Sequence, residues 1–537
     1  IRIMERWAND HRLTFSASKT KVMLFTNRRK YKKLPLFMDG KEIEYVDSFK
    51  YLGITLDTKL TFTKHIENIS KRAAMTMAQC RRMIAKNWGL KPHICKWVYT
   101  SLIRPIMSYS CFVWINSINK VTHIDRLQKV QRQGCLATLN AMKSTPTAGM
   151  EVILDIRPID IHLQELAISS YIRLSRNGNW IPKPGEVLGH KAHSNIILSI
   201  VEEIPEVRMP IDNLLNKDYL VSNFKTTIKS REEVNLQAGN IKLTPEGQDS
   251  IHVFTDGSKT NFGSGCAYIF RGPRGTGVKA QDYLTLGRLS TVFQAEVFAI
   301  GEASRKMINM GLTGKVINFF VDSQAAILSL DSYIVKTKTV LDSKNSLNTL
   351  GAGNDIRISW IPSHIGILGN EVADKLAKRG SYLTGEGPEP FLPTVSKAHI
   401  KSLIKKWSEE KHQERWSRPS ADFKETKMLL PYIRNKAWKT IKSKGRRGVM
   451  YATQILTGHA CVQKHLFKMN FADNPGCRKC DHKRESIEHL LGSCPAHNIL
   501  RRDVLGDYTI PSGDMCRLNL NKIFRFFSRA GSLGNLE

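Results

Sequence analysis

Between Ile251 and Ala377 the spacing of apolar residues switches repeatedly between the two-residue repeat of a strand and the roughly 3.6-residue repeat of a helix, and acidic residues stand near these switches. "IHVFTDGSK" reads as a strand stopped by Asp-Gly-Ser, and "SGCAYIF" as a second strand a turn later, which predicts a hairpin. A third short strand around "YLTL" leads into "TVFQAEVFAIGEASRKMINMG", where Phe293, Val297, Ile300 and Ala303 or Ser304 mark a helix ended by Gly311. "KVINFFVDSQAAIL" is an apolar strand whose last residue is Asp322, with a helix starting near Ser323. Ile356, Ile358 and Trp360 alternate as a strand, whereas Val372, Ala373, Leu376 and Ala377 repeat as a helix. Asn370 is expected as its N-cap, after a loop carrying Pro362, His364, Gly366 and Gly369. Such a chain folds as α/β layers, helices covering one sheet.

Each carboxylate here has an ordinary reading by itself. Asp256 could serve an Asp-Gly turn, Asp322 could cap a helix, and Glu296 and Asp374 could be solvated helix residues. Jointly, two aspartates at the ends of apolar strands and two acids on helices packed against one sheet form a cluster suited to divalent cations. Mg²⁺ prefers such hard oxygen ligands. Two ions roughly 4 Å apart activate a water on one side of a phosphodiester and stabilise the leaving oxygen on the other. His364, on the adjoining loop, is placed to shuttle protons.

The segments "TDGSK", "QAEVFAI", "FFVDSQAA" and "SHIGILGNEVADKLAK" closely resemble, in order, the signature segments of type 1 ribonuclease H. The resemblance implies that Asp256, Glu296, Asp322 and Asp374 are the metal-binding carboxylates (two Mg²⁺ or Mn²⁺ ions) and His364 the loop histidine. It also implies a mixed five-stranded sheet with flanking helices, and endonucleolytic hydrolysis of the RNA strand of an RNA:DNA hybrid. The interval between Asp322 and Trp360 looks too short for the extra basic helix of some cellular members.

Length and charge suit this reading. At 537 residues the chain is expected to hold roughly two to four domains. Its 81 Lys and Arg against 48 Asp and Glu, a net +33, point to a polyanionic partner, nucleic acid first and an acidic membrane surface second. No run of about 18 apolar residues exists to span a bilayer, and the N-terminal "IRIMERWANDHRLTF" lacks a signal-peptide core. An intracellular setting, a nuclear or cytoplasmic ribonucleoprotein, is therefore expected. The first residue is Ile, which suggests a fragment of something longer.

Residues 1–62 hold "RLTFSASKTKVMLF" and "FKYLGITLD", alternating segments around the basic loop "NRRKYKK". They resemble the last palm motifs of reverse transcriptases from non-LTR, LINE-type retrotransposons. The amphipathic stretches of residues 63–179 look like that family's thumb and connection, where Arg104, Lys129 and Arg132 could follow a duplex backbone or simply be solvated. The resemblance places paired palm aspartates before the Lys-Thr segment; no Asp-Asp pair occurs in the chain, so DNA synthesis by it is not expected. Residues 180–248 are read as linker or left unassigned. The nuclease is expected at 249–381, a linker ("TGEGPEPFLPT") and basic helical region at 382–450, and a zinc-binding module at 451–537. Trp407 and Trp416, in the basic region, read first as packing residues and second as stacking platforms for bases.

Ten cysteines spread along the chain do not resemble a dense disulfide framework. Four residues stand apart: Cys477, Cys480, His489 and Cys494, spaced C-x2-C-x8-H-x4-C, offer a tetrahedral Zn²⁺ set, with His482 or His497 as alternate ligands. The arrangement, preceded by "LTGH", resembles the C-terminal Cys-Cys-His-Cys module of jockey and I-type retrotransposons. The expected partners are thus an RNA:DNA hybrid and element RNA, with no membrane. A catalytically inert nucleic-acid-binding protein from a decayed element is the competing reading, and another nuclease or integrase of the same fold superfamily a further one.

Overall fold

The computed structural model describes residues 1–26, 28, 32–84, 88–176, 195–214, 217–230, 232–233, 250–273, 279–383, 395–420 and 423–531. The linker readings at 177–194 and 384–394, and most of the basic loop at 27–33, lie outside the described residues. Ile1–Tyr171 together with Lys406–Glu537 belong to one compact unit, and Ile200–Lys405 to another.

The second unit is built on a mixed sheet whose strands, in chain order, are β1 (Lys225–Thr227), β2 (Ser250–Lys259), β3 (Ser264–Arg271), β4 (Lys279–Gly287), β5 (Val316–Val321) and β6 (Asp355–Trp360). They lie side by side as β4-β3-β2-β5-β6-β1. β2, β3 and β4 pair antiparallel, whereas β5 runs parallel to β2, β6 to β5 and β1 to β6. Four helices accompany the sheet: α1 (Val292–Asn309), α2 (Gln324–Asp331), α3 (Lys338–Gly351) and α4 (Leu368–Tyr382). Ile251, Val253, Ile317, Phe319, Val321, Ile356 and Ile358 face one core with Val297 and Ile300 of α1. Phe254 and Ile269 face another, with Ile367 and Ala373 around α4. Burying each such side chain contributes about 1.5–3 kcal/mol.

Three expectations need correction. Asp-Gly-Ser does not stop the first strand: β2 continues to Lys259, with Asp256 paired to Ala267 and Gly257 to Cys266. Gly257 is there for close packing, because a Cβ on it would come within 2.5 Å of the Glu296 amide nitrogen. The sheet has six strands among the described residues rather than five. The additional β1 comes from the interval read as linker, and it covers ladder groups that β6 would otherwise expose. Asn370 is not an N-cap, since α4 begins at Leu368 and Asn370 is buried within its first turn.

The same interval supplies Asp212, which is 4% exposed. Its Oδ1 accepts from the Thr339 amide (2.9 Å), and its Oδ2 from the Thr339 hydroxyl (2.8 Å) and Gln294 Nε2 (3.0 Å). Thr339 lies in the first turn of α3. Gln294 closes the capping box of α1, where Thr291 Oγ1 accepts from the Gln294 amide and Gln294 Oε1 from the Thr291 amide. One carboxylate thus serves the positive ends of two helices.

In the other unit, helices Thr63–Arg81 and Val121–Leu139 pack together, and Arg446–Thr457 packs on the latter and on Thr147–Leu154. In "YLG", Leu52 and Gly53 both have positive φ (45° and 88°) and turn Ser48–Tyr51 back onto Ile54–Asp57. Arg104 and Arg132 do not present themselves to a duplex. Arg104 is buried and donates to the Arg157 carbonyl, while Arg132 donates to the Thr145 carbonyl (2.7 Å) and Thr147 Oγ1 (2.8 Å). Lys129 is exposed. Trp407 and Trp416 are buried, and Trp416 donates to the Leu430 carbonyl at 2.9 Å. Among the described residues no helix is long and apolar enough to cross a membrane.

Removing the Asp212 carboxylate leaves the Gln294 amide and both Thr339 donors without their acceptor. Asp212→Ala is expected to lower the stability of this unit by about 2–4 kcal/mol in chemical denaturation. A loss below about 0.5 kcal/mol would show that the carboxylate does not hold the two helix starts.

Candidate functional site

Strand register brings the first two aspartates together. Val321 of β5 pairs with Thr255 of β2, so the next residue on each strand is Asp322 and Asp256. Glu296 reaches them from α1, whose backbone lies directly over Gly257. One carboxylate oxygen from each of Asp256, Glu296 and Asp322 lies within 4.8 Å of the others. Asp374, on α4, is outside this group of three. Its Oδ2 accepts from Lys378 Nζ at 2.7 Å, one helical turn on. His364 is exposed on the loop between β6 and α4, with φ +57°.

Burial and mutual repulsion make the trio reluctant to ionise. Burial, then Asp322 and Asp374, pushes Asp256 up to about 7. Glu296 is raised well above the usual carboxylate range by burial and by Asp256 and Asp322. Asp322 is also raised, chiefly by burial, against the opposing effects of its hydrogen bonds and of His364. Glu296 Oε2 is buried without a hydrogen-bond partner. An all-oxygen donor set with an orphaned buried acceptor fits a hard divalent cation.

Two residues bear on this cluster in ways not assigned from the sequence: Asn370, read there as an N-cap, and Lys378, given no role. Asn370 Nδ2 donates to Asp322 Oδ2 at 3.4 Å, and Lys378 holds Asp374. The i,i+4 spacing of Asp374 and Lys378 was the available signal for the latter. Trp360 Nε1 donates to the Asp322 carbonyl at 3.0 Å, which fixes the backbone where β5 ends.

In the other unit the ligand atoms of Cys477, Cys480, His489 and Cys494 all lie within 4.8 Å of one another. Cys480 Sγ is 3.2 Å from His489 Nε2 and 3.9 Å from Cys494 Sγ. Ser486 caps the helix Ile487–Gly492 that carries His489. The two alternate histidines stay outside the set: His482 stacks on His489 with ring centroids 4.0 Å apart, and His497 packs edge-on against Phe526. Buried Glu485 accepts from the Arg478 and Gln463 amides and pairs with the Arg478 guanidinium. Arg501, fully buried, donates to the Leu490, Leu491 and Cys494 carbonyls. Three sulfurs and one imidazole nitrogen at this closeness fit tetrahedral Zn²⁺.

Residues 248–382 match the family model described as RNase H. The chain carries a ribonuclease H domain. Over 166 residues the chain is 28% identical to the "Putative 115 kDa protein in type-1 retrotransposable element R1DM" of Drosophila melanogaster, covering 31% of this chain and 16% of that protein. It is 28% identical over 180 residues to the "RNA-directed DNA polymerase from mobile element jockey" of the same species, with 33% and 19% covered. A "Retrovirus-related Pol polyprotein from type-1 retrotransposable element R1" of Nasonia vitripennis is 24% identical over 174 residues, with 30% and 49% covered. Each match takes in less than half of the relative's own length. The chain's homologues are thus R1 and jockey retrotransposon polyproteins. Among solved structures, RNase H1 from the halophilic archaeon Halobacterium salinarum NRC-1 is 24% identical over 24% of this chain and 96% of that one, with a TM-score of 0.20.

The electrostatics of the ribonuclease H cluster set a pH dependence. A carboxyl whose pKa is higher folded than unfolded binds more protons in the native state. Its contribution is therefore full below its unfolded pKa and lost as pH rises through the folded one. Without divalent ions, the unfolding midpoint of the domain is expected to fall between about pH 4 and about 7, following Asp256. Asp256→Asn should flatten that fall, and added Mg²⁺ should reverse it in wild type only. A wild-type midpoint that is flat across this window, read by differential scanning calorimetry, would contradict the raised pKa.

Proposed function

We propose that the ribonuclease H domain cleaves the RNA strand of RNA:DNA hybrids during copying of a retroelement, with Asp256, Glu296, Asp322 and Asp374 holding two Mg²⁺ or Mn²⁺ ions. The observation that carries this reading is the convergence of three carboxylates, Asp256 and Glu296 buried and Asp322 half-buried, none of which takes part in an ion pair among the described residues. Bound ions would supply a hydroxide-like water and stabilise the departing oxygen. Asp256 and Asp322 anchor the site from the rigid sheet, and Glu296 closes it from α1. Asp374 joins once it leaves Lys378, an exposed i,i+4 pair worth only about 0.3–0.5 kcal/mol. His364, exposed on its loop, accepts or returns a proton at an imidazole nitrogen. The scissile strand is distinguished by its 2′-hydroxyls, so duplex DNA is spared.

The flanking residues support the same setting. The hairpin around "YLG" and the helices after it are proposed as post-catalytic palm and thumb of a LINE-type reverse transcriptase, in a ribonucleoprotein inside the cell. The paired polymerase aspartates are not among these residues. One observation favours the inert binding protein instead, namely that Asp374 is paired with Lys378 and is not part of the close group formed by the other three.

Hybrid cleavage under Mg²⁺ titration separates the two readings. Wild type should release products with 3′-hydroxyl and 5′-phosphate ends. Asp322→Asn should retain fold and hybrid binding yet cleave almost nothing, and His364→Ala should slow turnover by on the order of a hundredfold. Equal cleavage by wild type and Asp322→Asn would remove the cluster from the mechanism. No cleavage by either, with binding intact, would establish the inert protein.

The four-ligand cluster near the C-terminus is proposed to hold Zn²⁺ and to contribute to nucleic-acid binding. Elemental analysis of native protein should find about one Zn²⁺ per chain, lost on replacing Cys480 and His489. Zinc-free native protein would refute the site, and unchanged affinity after zinc removal would restrict it to a structural role.

A further inference from the structure

We propose that a cleft in the unit outside the ribonuclease H domain, between the 88–93 loop and the 442–446 loop, binds single-stranded nucleic acid by stacking a base on Trp88 and seating phosphates on lysines. The cleft has a volume of about 610 Å³, and its working residues are Trp88, Lys91, His93, Lys442 and Lys444. Trp88 is 65% exposed, although an indole in water gains by being covered. Lys91 and Lys442 are exposed, and Lys444 Nζ lies 5.7 Å from the Phe524 ring centroid. Among the described residues no carboxylate lines the cleft. Among the described residues none of these lysines takes part in an ion pair, so their charge is available to an incoming anion.

The cleft is also rigidly built. Arg446 is buried at its floor and ties one wall to the other, donating to the Leu90 carbonyl (3.1 Å) and, beyond it, to the Ala137 carbonyl (3.0 Å). Gly89 has φ +98°, and a Cβ there would meet the Met83 carbonyl oxygen at 2.3 Å, so the turn that presents Trp88 requires glycine. The Arg446–Thr457 helix starts at the cleft with no side-chain cap, adding its positive end to the lysines. A flat exposed ring beside unpaired cations is the arrangement by which proteins hold single strands: bases stack irrespective of sequence while the backbone follows the charge. A duplex keeps its bases stacked on one another and would offer Trp88 nothing. None of this depends on the ribonuclease H reading.

The test uses the full chain and two labelled probes followed by fluorescence anisotropy, an eight-residue oligo(dT) and an abasic phosphodiester of equal length and charge. Trp88→Ala should weaken oligo(dT) binding by about tenfold and leave abasic binding unchanged, while Trp88→Phe should restore most of the loss. Lys442→Ala should weaken both probes and steepen neither's salt dependence, whereas Lys71→Ala, a charge control on the exposed face of Thr63–Arg81, should change little. Oligo(dT) affinity unmoved by Trp88→Ala, or equal losses for both probes, would overturn the proposal. Trp88-dependent capture of phosphatidylserine vesicles without Trp88-dependent oligo(dT) binding would overturn it in favour of an acidic membrane surface. Hybrid cleavage by the same preparations reports folding and stands or falls separately.

Discussion

The acidic cluster depends on how closely a helix can lie on a strand. At Gly257 the backbone of α1 comes so near β2 that no side chain fits between them. The same device recurs on the other helix, where Gly265 of β3 faces the backbone at Gly380 and Ser381, and Gly369 faces the Phe254 ring. These approaches leave no room for a side chain between helix and strand at the glycines, and at Gly257 they let short acidic side chains converge. Any Cβ at Gly257 would lift α1 and carry Glu296 with it, before any change in charge.

Convergence of like charges in a dry site is unfavourable unless something compensates, and here the protein supplies little. Asn370 and the exposed His364 bear on Asp322, while Glu296 keeps a buried oxygen without a partner. The fold therefore holds its site in a state of electrostatic tension, stabilised by the apolar cores on either side of the sheet. The sulfur cluster follows the opposite pattern. Glu485 accepts from the Arg478 amide, and Arg501 donates to the carbonyls of Leu490, Leu491 and Cys494, so charged side chains satisfy backbone groups beside the ligands. The carboxylate cluster is left with an unpartnered buried oxygen, whereas the sulfur cluster, with Cys477 and Cys480 half-exposed, has hydrogen-bonded neighbours that fix its backbone.

The carboxylate trio was legible because strand ends and helix faces are written in the spacing of apolar residues. Asp322 closes an apolar run, and Glu296 sits in a strongly periodic helix. What escaped was set by contacts distant in sequence. Gly257 resembles a turn glycine until α1 is known to lie over it. Lys225–Thr227 is too short and polar to announce a strand, and it pairs with residues more than a hundred positions away. Asp212 meets Gln294 and Thr339 across gaps of 82 and 127 positions. Arg104 and Arg132 were misread for a related reason: a helical repeat identifies a polar position, yet a long guanidinium at that position can turn inward and satisfy carbonyls of a neighbouring loop. The cysteine and histidine spacing needed no such knowledge, since its partners fall within eighteen residues.

The order of the chain gives the bipartite architecture a temporal side. Ile1–Tyr171 share one unit with Lys406–Glu537, through packing such as that of Arg446–Thr457 on Val121–Leu139. The ribonuclease H unit lies wholly between those two stretches. On a ribosome, the segment that starts second can therefore complete its interior while the surfaces of Val121–Leu139 and Thr147–Leu154 that pack on Arg446–Thr457 still lack that partner. Apolar surface left waiting in this way is open to aggregation, for a time set by the size of the insert.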